Sequence, residues 1–261
     1  MGEHEGKVAV VTGGSKGIGK ACAMALAREG AEVMLLASDA GRLAAAALEI
    51  ADMTGRRVET HAADLRTQEG CKAAFAATRQ AFGRCNMLIN AAGATKGGIW
   101  PDQPDDDYVD GFALKFYAAV RLCRLFWPSL KESQGTVINI VGSFARTPAP
   151  DYLVGGAVNA ALANFSKGLA GAGLRDDVNV NWVHPGLTVT ERLDEIFARK
   201  AVQQGKTPDE VQAESVASEG IRRLGEADDV ANLVAFLCSA KARHIHGTGI
   251  QIDGGGTKGC F

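Results

Sequence analysis

Short runs of aliphatic and β-branched residues alternate with longer helix-like stretches along most of this chain of 261 residues. Such runs, when they end in Gly, Asp or Asn, are typical of buried strands. Their alternation with helices favours a parallel sheet covered by helices on both faces, that is, a doubly wound α/β fold. The predicted strands are 7–13, 31–37, 58–64, 87–93, 135–143, 178–186 and 247–255, and the predicted helices are 17–29, 40–53, 67–83, 106–133, 155–173 and 226–240.

The chain shows no internal repeat, low-complexity tract or linker, so we expect residues 1–261 to form a single domain. Doubly wound domains often reach this length undivided, and a chain of this size can bury a large core. The long irregular stretch 187–225 is polar and follows a predicted strand. This position suits a lid over a cleft, and an ordinary surface helical excursion is the alternative.

Charge and composition exclude several classes of partner. The net charge of −2 gives no reason to expect nucleic acid or an anionic membrane. No apolar run approaches the ~20 residues that span a bilayer, and no signal peptide is visible, so we expect a cytoplasmic protein. The six cysteines, at 22, 71, 85, 123, 238 and 260, form no C-x-x-C pair, which predicts reduced thiols and no metal site.

The glycine-rich segment TGGSKGIG at 12–19 lies between the first predicted strand and the first predicted helix. Glycines at 13, 17 and 19 let the backbone turn sharply and approach a pyrophosphate, while a helix N-terminus supplies N–H donors and a positive dipole end. The GxxxGxG spacing differs from the GxGxxG dinucleotide fingerprint, but its position between strand and helix predicts a phosphate-binding turn.

This segment resembles the cofactor loop of the short-chain dehydrogenase/reductase family. Four further motifs follow in family-like order: AADL (62–65), NAAG (90–93), HPGLTVT (184–190) and GTGIQIDGG (247–255). The resemblance covers essentially the whole chain and implies a Rossmann-type domain with seven parallel strands that binds NAD(H) or NADP(H). It also implies a homo-oligomer, a dimer or a tetramer, packed through the long helices.

The resemblance implies a role for each of these motifs. Asp64 would hold the adenine, Asn90 and Gly93 would shape the adenine-ribose side, and the segment after Pro185 would wrap the nicotinamide end, although a plain turn after a strand is the simpler alternative for that segment. The residues expected to bind cofactor are Gly13, Ser15, Lys16, Gly17, Ile18, Gly19, Ser38, Asp64, Leu65, Asn90, Ala91, Ala92, Gly93, Asn159, Pro185, Gly186, Thr188 and Thr190.

The end of the second predicted strand indicates which dinucleotide is preferred. An acidic residue there would bind the ribose 2′-hydroxyl and repel a 2′-phosphate. The sequence instead has Ala37 and Ser38, with Asp39 beyond them. Ser38 could donate to a phosphate and Lys16 supplies a cation, unless it is a solvated loop residue. The sequence therefore favours NADP(H) over NAD(H).

The chain departs from the family where the family's acid–base groups stand. The family uses a tyrosine, a lysine four residues later, a serine and an asparagine. Matching GGAVNAAL to the family's Y-x-x-x-K element places Gly155 and Asn159 at the tyrosine and lysine positions. Gly142 falls at the serine and Ala113 at the asparagine. We therefore expect a divergent member with all four usual groups replaced.

Two residues remain as candidate catalytic groups. Tyr152 lies at the tip of the loop before the helix, where it could donate a hydrogen bond, but with no cation expected beside it we favour an aromatic wall of the pocket. Ser143 could bind a substrate carbonyl or cap the strand end. His184 is titratable by type, and a buried structural histidine is the stronger interpretation. Asn159 could still bind ribose hydroxyls.

Three functions fit these patterns. The first is an oxidoreductase that transfers hydride to or from a carbonyl or alcohol substrate through a rearranged site. The second is a catalytically silent dinucleotide-binding protein that acts as a sensor, regulator or oligomer partner. The third is an enzyme of another reaction class, such as a dehydratase or isomerase, that uses the same cleft.

Overall fold

A single parallel sheet organises the part of the chain that the structure, a computed structural model, describes, which is residues 2–259. All seven predicted strands are confirmed, and their order in the sheet is β3-β2-β1-β4-β5-β6-β7. The strands are β1 (Val8–Thr12), β2 (Glu32–Ala37), β3 (Val58–Ala62), β4 (Met87–Asn90), β5 (Thr136–Ile140), β6 (Asn179–Pro185) and β7 (Gly249–Ile252).

Helices connect the strands and cover the sheet. They are α1 (Gly17–Arg28), α2 (Ala40–Thr54), α3 (Gln68–Phe82), α4 (Asp105–Gly111), α5 (Ala118–Glu132), α6 (Leu153–Asp176), α7 (Glu191–Gln204), α8 (Pro208–Glu219) and α9 (Ala227–Leu237). Each of the parallel crossovers uses at least one of these elements, as a right-twisted sheet requires.

Two apolar clusters lie on opposite faces of the sheet. One joins α1, α2 and α9 and includes the fully buried Leu26 and Leu43. The other joins α3, α5 and α6 and includes the buried Phe126 and Leu122. Strands β1, β4 and β5 are buried along their whole length, because each packs against helices on both sides. The predicted doubly wound α/β fold is confirmed.

The sheet order reverses between β1 and β4, and one side chain fixes this junction. Thr12, the last residue of β1, accepts hydrogen bonds at its hydroxyl from the backbone N–H groups of Ala91 and Ala92, at 3.0 and 2.9 Å. The two strand ends are therefore tied together where the connections diverge. Open α/β sheets bind ligands in the crevice outside this edge.

The long helix predicted at 106–133 consists of three segments. Between α4 and α5 lies a π-helical segment, Phe112–Tyr117, in which the N–H of Ala118 donates to the carbonyl of Ala113. Because π segments insert an extra residue into each turn, side chains here take directions that a uniform α-helix would not give them. Lys115 belongs to this segment.

The region 187–225, expected to be irregular, is mostly helical. Helices α7 and α8 occupy it, and each begins at a threonine cap: Thr190 accepts from the N–H of Leu193, and Thr207 forms a capping box with Glu210. A small apolar cluster centred on Phe197 joins the two helices. Among residues 2–259, no helix is long and apolar enough to cross a membrane.

Candidate active site

A cavity of about 450 Å³ opens at the carboxyl edge of the sheet, above the junction of β1 and β4. Residues at or just after the carboxyl ends of β1 to β6 line it, together with residues from helical segments, as expected where parallel strands end together. The lining residues are Gly13, Ser15–Gly19, Ala37, Ser38, Ala63–Arg66, Ala91–Ala94, Leu114, Lys115, Ile140–Phe144, Tyr152, Asn159, Pro185–Leu187 and Thr190–Arg192.

Most residues expected to bind cofactor lie in this wall, but Asn90 and Thr188 do not. The Asn90 side chain turns into the protein and donates to Oδ1 of Asn139 at 2.8 Å, so it ties β4 to β5. Thr188 is buried, and its hydroxyl donates to the carbonyl of Gly186 at 3.0 Å. Both side chains shape the backbone beside the cavity instead of facing it.

The glycine turn fits a dinucleotide. Gly13 and Gly17 adopt φ values of +66° and +54°, which favour glycine. A Cβ on Gly19 would lie 2.3 Å from the carbonyl oxygen of Gly13, so only glycine permits this turn. The start of α1 faces the cavity with no side-chain cap, which leaves its N–H groups available to a phosphate.

Two cations meet at the corner where β2 ends. Lys16 and Arg42 both contact Oε2 of Glu191, at 3.0 and 3.1 Å. The hydrogen bond from Lys16 lowers the pKa of the Glu191 carboxyl. All three side chains are substantially exposed, so these ion pairs contribute little stability and an incoming phosphate can exchange with the carboxylate. Lys16 is therefore a paired residue, and Arg42 is a second cation that the sequence did not reveal.

Tyr152 fills the space that a side chain at position 155 would need. A Cβ on Gly155 would lie 1.9 Å from Cε1 of the Tyr152 ring. The ring also packs against Phe144, with 4.9 Å between ring centroids. Tyr152, at the start of α6, thus lies over Gly155, the residue that the sequence match aligns with the family's tyrosine.

A cation contacts the Tyr152 hydroxyl, which corrects the expectation that none would. Nη2 of Arg192 donates to the hydroxyl oxygen at 3.1 Å, and the Thr95 hydroxyl is also hydrogen-bonded to it. Arg192 is anchored by the carbonyls of Gly93 and Thr95 at 3.2 and 2.6 Å. Helix α7 therefore presents a guanidinium to the phenol oxygen.

Gly142 and Asn159 lie against each other in the cavity wall. A Cβ on Gly142 would be 3.0 Å from Nδ2 of Asn159, and Gly142 has φ +119°, a conformation that strains any residue with a side chain. Oδ1 of Asn159 is buried without a hydrogen-bond partner and lies on the cavity wall. It is an acceptor available to a hydroxyl group of a bound ligand.

Lys115 reaches the cavity from the π-helical segment. Its amine donates a hydrogen bond to the carbonyl of Val141, the residue before Gly142, and its stem passes alongside Gly93. Lys115 is half-buried and belongs to the cavity wall, and the surrounding protein desolvates its amine. This desolvation, with the nearby Arg192 charge as a second cause, lowers the pKa of Lys115 from its ordinary 10.5 to about 7.

The two other polar candidates differ in role. His184 accepts at Nε2 from the indole N–H of Trp182 at 2.9 Å, so its Nδ1–H donates to the Gly142 carbonyl at 3.0 Å. Burial lowers its pKa, and it is the buried structural histidine that the sequence suggested. Ser143 lines the cavity and begins a short 3₁₀ turn, Ser143–Ala145.

Sequence reasoning missed Lys115, Arg192 and Arg42. The signal for Lys115 was a lone lysine within the apolar run GFALKFYAAV, which a uniform helix does not direct to the cleft. Arg192 and Arg42 occupy the first turns of helices and carried no distinguishing pattern.

Comparison with known proteins agrees with the fold. Residues 13–257 match the family model described as enoyl-(acyl carrier protein) reductase. The 3-oxoacyl-(acyl-carrier-protein) reductase FabG of Vibrio cholerae is 31% identical over 256 residues, which cover 96% of this chain and 97% of that protein. The chain thus belongs to the short-chain dehydrogenase/reductase family.

Solved structures of this class superpose closely. L-sorbose reductase from Gluconobacter frateurii, complexed with NADPH and L-sorbose, is 32% identical, with a TM-score of 0.94 and 99% of both chains covered. A short-chain dehydrogenase from Burkholderia cenocepacia in complex with NADP is 33% identical, with a TM-score of 0.85 over 97% of this chain and 99% of that one. The dinucleotides in these two complexes are NADPH and NADP.

A pair of adjacent glycines tests the placement of Tyr152. Gly156→Ala adds a Cβ with no neighbour nearer than 3.4 Å, so we expect the gain of about 0.5–1 kcal/mol in unfolding free energy that alanine gives in a helix. Gly155→Ala has the same helical gain but must displace the Tyr152 ring, so we expect it to be less stable than Gly156→Ala. Chemical denaturation measures both, and equal gains would contradict the placement of the ring.

The enclosed amine of Lys115 makes stability depend on pH. Between about pH 7 and pH 10.5 the unfolded chain binds more protons at this residue than the folded chain does, so burial of Lys115 costs most at and below pH 7. We expect Lys115→Met to raise the unfolding free energy at pH 7 by roughly 2–4 kcal/mol, with allowance for solvent in the cavity. The gain should shrink as the pH approaches 10, and a pH-independent difference would contradict the assignment.

Proposed function

We propose that this protein is an NADP(H)-dependent oxidoreductase that acts on a carbonyl or alcohol substrate through a site in which the family's four acid–base residues are replaced. The observation that carries the proposal is the cavity itself: one continuous wall joins the glycine turn to Tyr152, Lys115 and Arg192. A dinucleotide and a small substrate can therefore meet in it. The bound cofactor would supply or accept the hydride.

The preference for NADP(H) rests on the corner formed by Ser38, Lys16 and Arg42. No acidic side chain ends β2, and Lys16 and Arg42 are paired with Glu191 near this corner, where Arg42 also contacts Asp39. We place the 2′-phosphate beside these two cations. The NADPH complex of L-sorbose reductase supports the same choice. Gly13 to Gly19 would hold the pyrophosphate, Asp64 and Leu65 the adenine, and Asn159 a ribose hydroxyl.

The substrate end of the cavity is lined by Ser143, Phe144, Tyr152, Leu187 and Arg192. Tyr152 would donate a hydrogen bond to the substrate oxygen in an arrangement where Arg192 and the Thr95 hydroxyl both donate to the phenol oxygen and leave the phenol proton for the substrate. Ser143 would contact the substrate carbonyl. We also propose that α7 and α8, within 187–225, act as a lid, since Glu191 and Arg192 at the start of α7 form part of the cavity wall.

A catalytically silent dinucleotide-binding protein is the second candidate. The observation that favours it is the identity of Ala113, Gly142, Gly155 and Asn159, none of which titrates. The geometry also shows that a serine cannot simply be restored at position 142, where φ is +119°. Such a protein would bind the dinucleotide and change its affinity for partners without turnover.

We propose a cytoplasmic homo-oligomer. Five cysteines within residues 2–259 are buried free thiols, which suits a reducing compartment. Helix α6 exposes Gly168 and Gly171, where an added Cβ would meet nothing within 4 Å, and small residues of this kind permit close packing of a second helix. Light scattering of the purified protein would give the mass, and a monomer at micromolar concentration would contradict the proposal.

The proposed function is tested by two measurements on the same preparation. Titration of NADPH fluorescence reports binding, and a panel of ketones and secondary alcohols followed at the dinucleotide absorbance reports turnover. We expect binding of NADPH and turnover of at least one member of the panel, lowered by Tyr152→Phe. Binding without any turnover would favour the silent alternative, and failure to bind either dinucleotide would overturn the cofactor assignment.

The corner cations predict how each dinucleotide responds to substitution. We expect Arg42→Ala to weaken NADPH binding about 3- to 10-fold, the size of one exposed ion pair or somewhat more, and to leave NADH binding unchanged. Glu191→Gln should strengthen NADPH binding, because it frees Lys16 and Arg42 from the carboxylate. The matched control is Arg57→Ala. Arg57 is an exposed cation that directly precedes β3 and is paired with Glu59. Equal effects of Arg42→Ala on both dinucleotides would contradict the assignment.

A further inference from the structure

We propose that the side-chain amine of Lys115 transfers the proton during the reaction, in place of the tyrosine that other members of the family use. The inference rests on the proposed function and assigns a catalytic group within the same cavity. The wall of this cavity brings Lys115 together with Gly142 and Asn159, the residues at the family's serine and lysine positions.

The position of the amine is the first support. Its hydrogen-bond acceptor is the carbonyl of Val141, one residue before Gly142, and Lys115 and Gly142 both line the cavity. On the other side of Gly142, Asn159 fills the approach with a neutral amide. We infer that a substrate oxygen bound near Gly142 would be within reach of the Lys115 amine.

The means by which Lys115 reaches this place is the second support. The π-helical segment Phe112–Tyr117 directs its side chain across Gly93, and a Cβ on Gly93 would lie 3.0 Å from Cδ of the lysine. A lysine drawn away from water in this way lowers stability. Its cost is explained if the amine has a chemical role, because π segments often occur at functional sites.

Burial, and after it the charges around the amine, set its protonation. Arg192 on α7 is the nearby cation, Tyr152 faces the cavity from the start of α6, and His184 approaches from β6. The β5 end contributes only the Val141 carbonyl. Within the described chain, Lys115 and Arg192 contact carbonyl and hydroxyl oxygens and no carboxylate. Near neutral pH both forms of Lys115 are therefore populated, as a group that gives and takes a proton requires.

The proton step balances in both directions. In oxidation, the O–H bond of the alcohol breaks, its proton goes to the lone pair of the Lys115 Nζ, and the hydride from the carbon goes to NADP⁺ as the carbonyl forms. In reduction, the protonated amine returns its proton to the carbonyl oxygen as NADPH supplies the hydride. Oxidation therefore needs neutral Lys115 and should slow below about pH 7, and reduction needs the ammonium and should slow above it.

The first experiment needs no substrate. Wild-type protein is acetylated briefly with acetic anhydride from about pH 5 to about pH 10, and each lysine is followed by peptide mass spectrometry. The internal reference is Lys167, whose amine also donates to a backbone carbonyl, that of Gly247 at 2.8 Å, but outside the cavity. We expect acetylation of Lys115 to rise with a midpoint near pH 7. A midpoint near 10 would overturn the proposal.

The second experiment uses the turnover assay of the proposed function. We expect Lys115→Met to lower kcat about 10²- to 10⁴-fold, with KM and NADPH binding little changed, and to abolish the pH dependence near 7. Lys115→Ala should regain part of its rate with added ethylamine, and Lys167→Met should behave as wild type. Lys115→Met with wild-type kcat and pH profile would overturn the proposal.

The two experiments separate failure of the inference from failure of the proposed function. Active wild-type enzyme whose pH profile survives Lys115→Met rejects Lys115 alone and leaves the oxidoreductase in place. Wild-type protein that binds NADPH but turns over no carbonyl or alcohol rejects the oxidoreductase and with it the proton transfer, whatever the acetylation midpoint. The unfolding free energy of Lys115→Met, which we expect to exceed that of the wild type at pH 7, distinguishes a loss of rate from a loss of fold.

Discussion

The reversal of strand order between β1 and β4 is the constraint on which the site depends. The Thr12 hydroxyl, with its two backbone donors at Ala91 and Ala92, ties the two strand ends together. The connections leave this junction in opposite directions and open a crevice at the carboxyl edge. Strands β1 to β6 all end at this one edge, so lining residues far apart in sequence become neighbours.

Within the cavity, the Tyr152 ring occupies the space that a side chain at position 155 would need. The Tyr152 ring lies over Gly155, and its hydroxyl accepts a hydrogen bond from Arg192. Lys115 lines the same cavity and donates to the carbonyl of Val141, the residue before Gly142. The three positions are coupled physically: a side chain at 155 would expel the ring, and the Arg192 charge acts on both the phenol and the amine. Tyr152, Arg192 and Lys115 therefore form one physically connected set of side chains in the cavity.

The fold could be predicted from the sequence because its signals are local. Buried parallel strands are short apolar runs, and each of the seven was found with its ends shifted by a few residues at most. The glycine turn was also predictable, since its positive φ values require glycine at 13 and 17. The residues of 187–225 were harder: their helices begin at threonine caps that a polar, weakly periodic stretch does not make obvious.

The sequence predicted which strand ends line the cavity, but it did not predict where every side chain at those ends points. Asn90 and Thr188 follow the expected strands, but their side chains turn inward to hydrogen-bond the protein. Arg192 meets Tyr152 across 40 residues of sequence. Lys115 faces the cavity because of a π segment. None of these is encoded in spacing, because each depends on a tertiary contact or an irregular turn.

The most direct test of the central claim is a crystal structure of the protein with NADP⁺ and a substrate alcohol identified in the turnover assay. The account predicts that the alcohol oxygen lies within hydrogen-bond distance of Lys115 Nζ, about 3 Å, with the amine drawn from the Val141 carbonyl towards it. An alcohol oxygen beyond hydrogen-bond distance of Lys115 Nζ, with the amine still bonded only to the Val141 carbonyl, would contradict it.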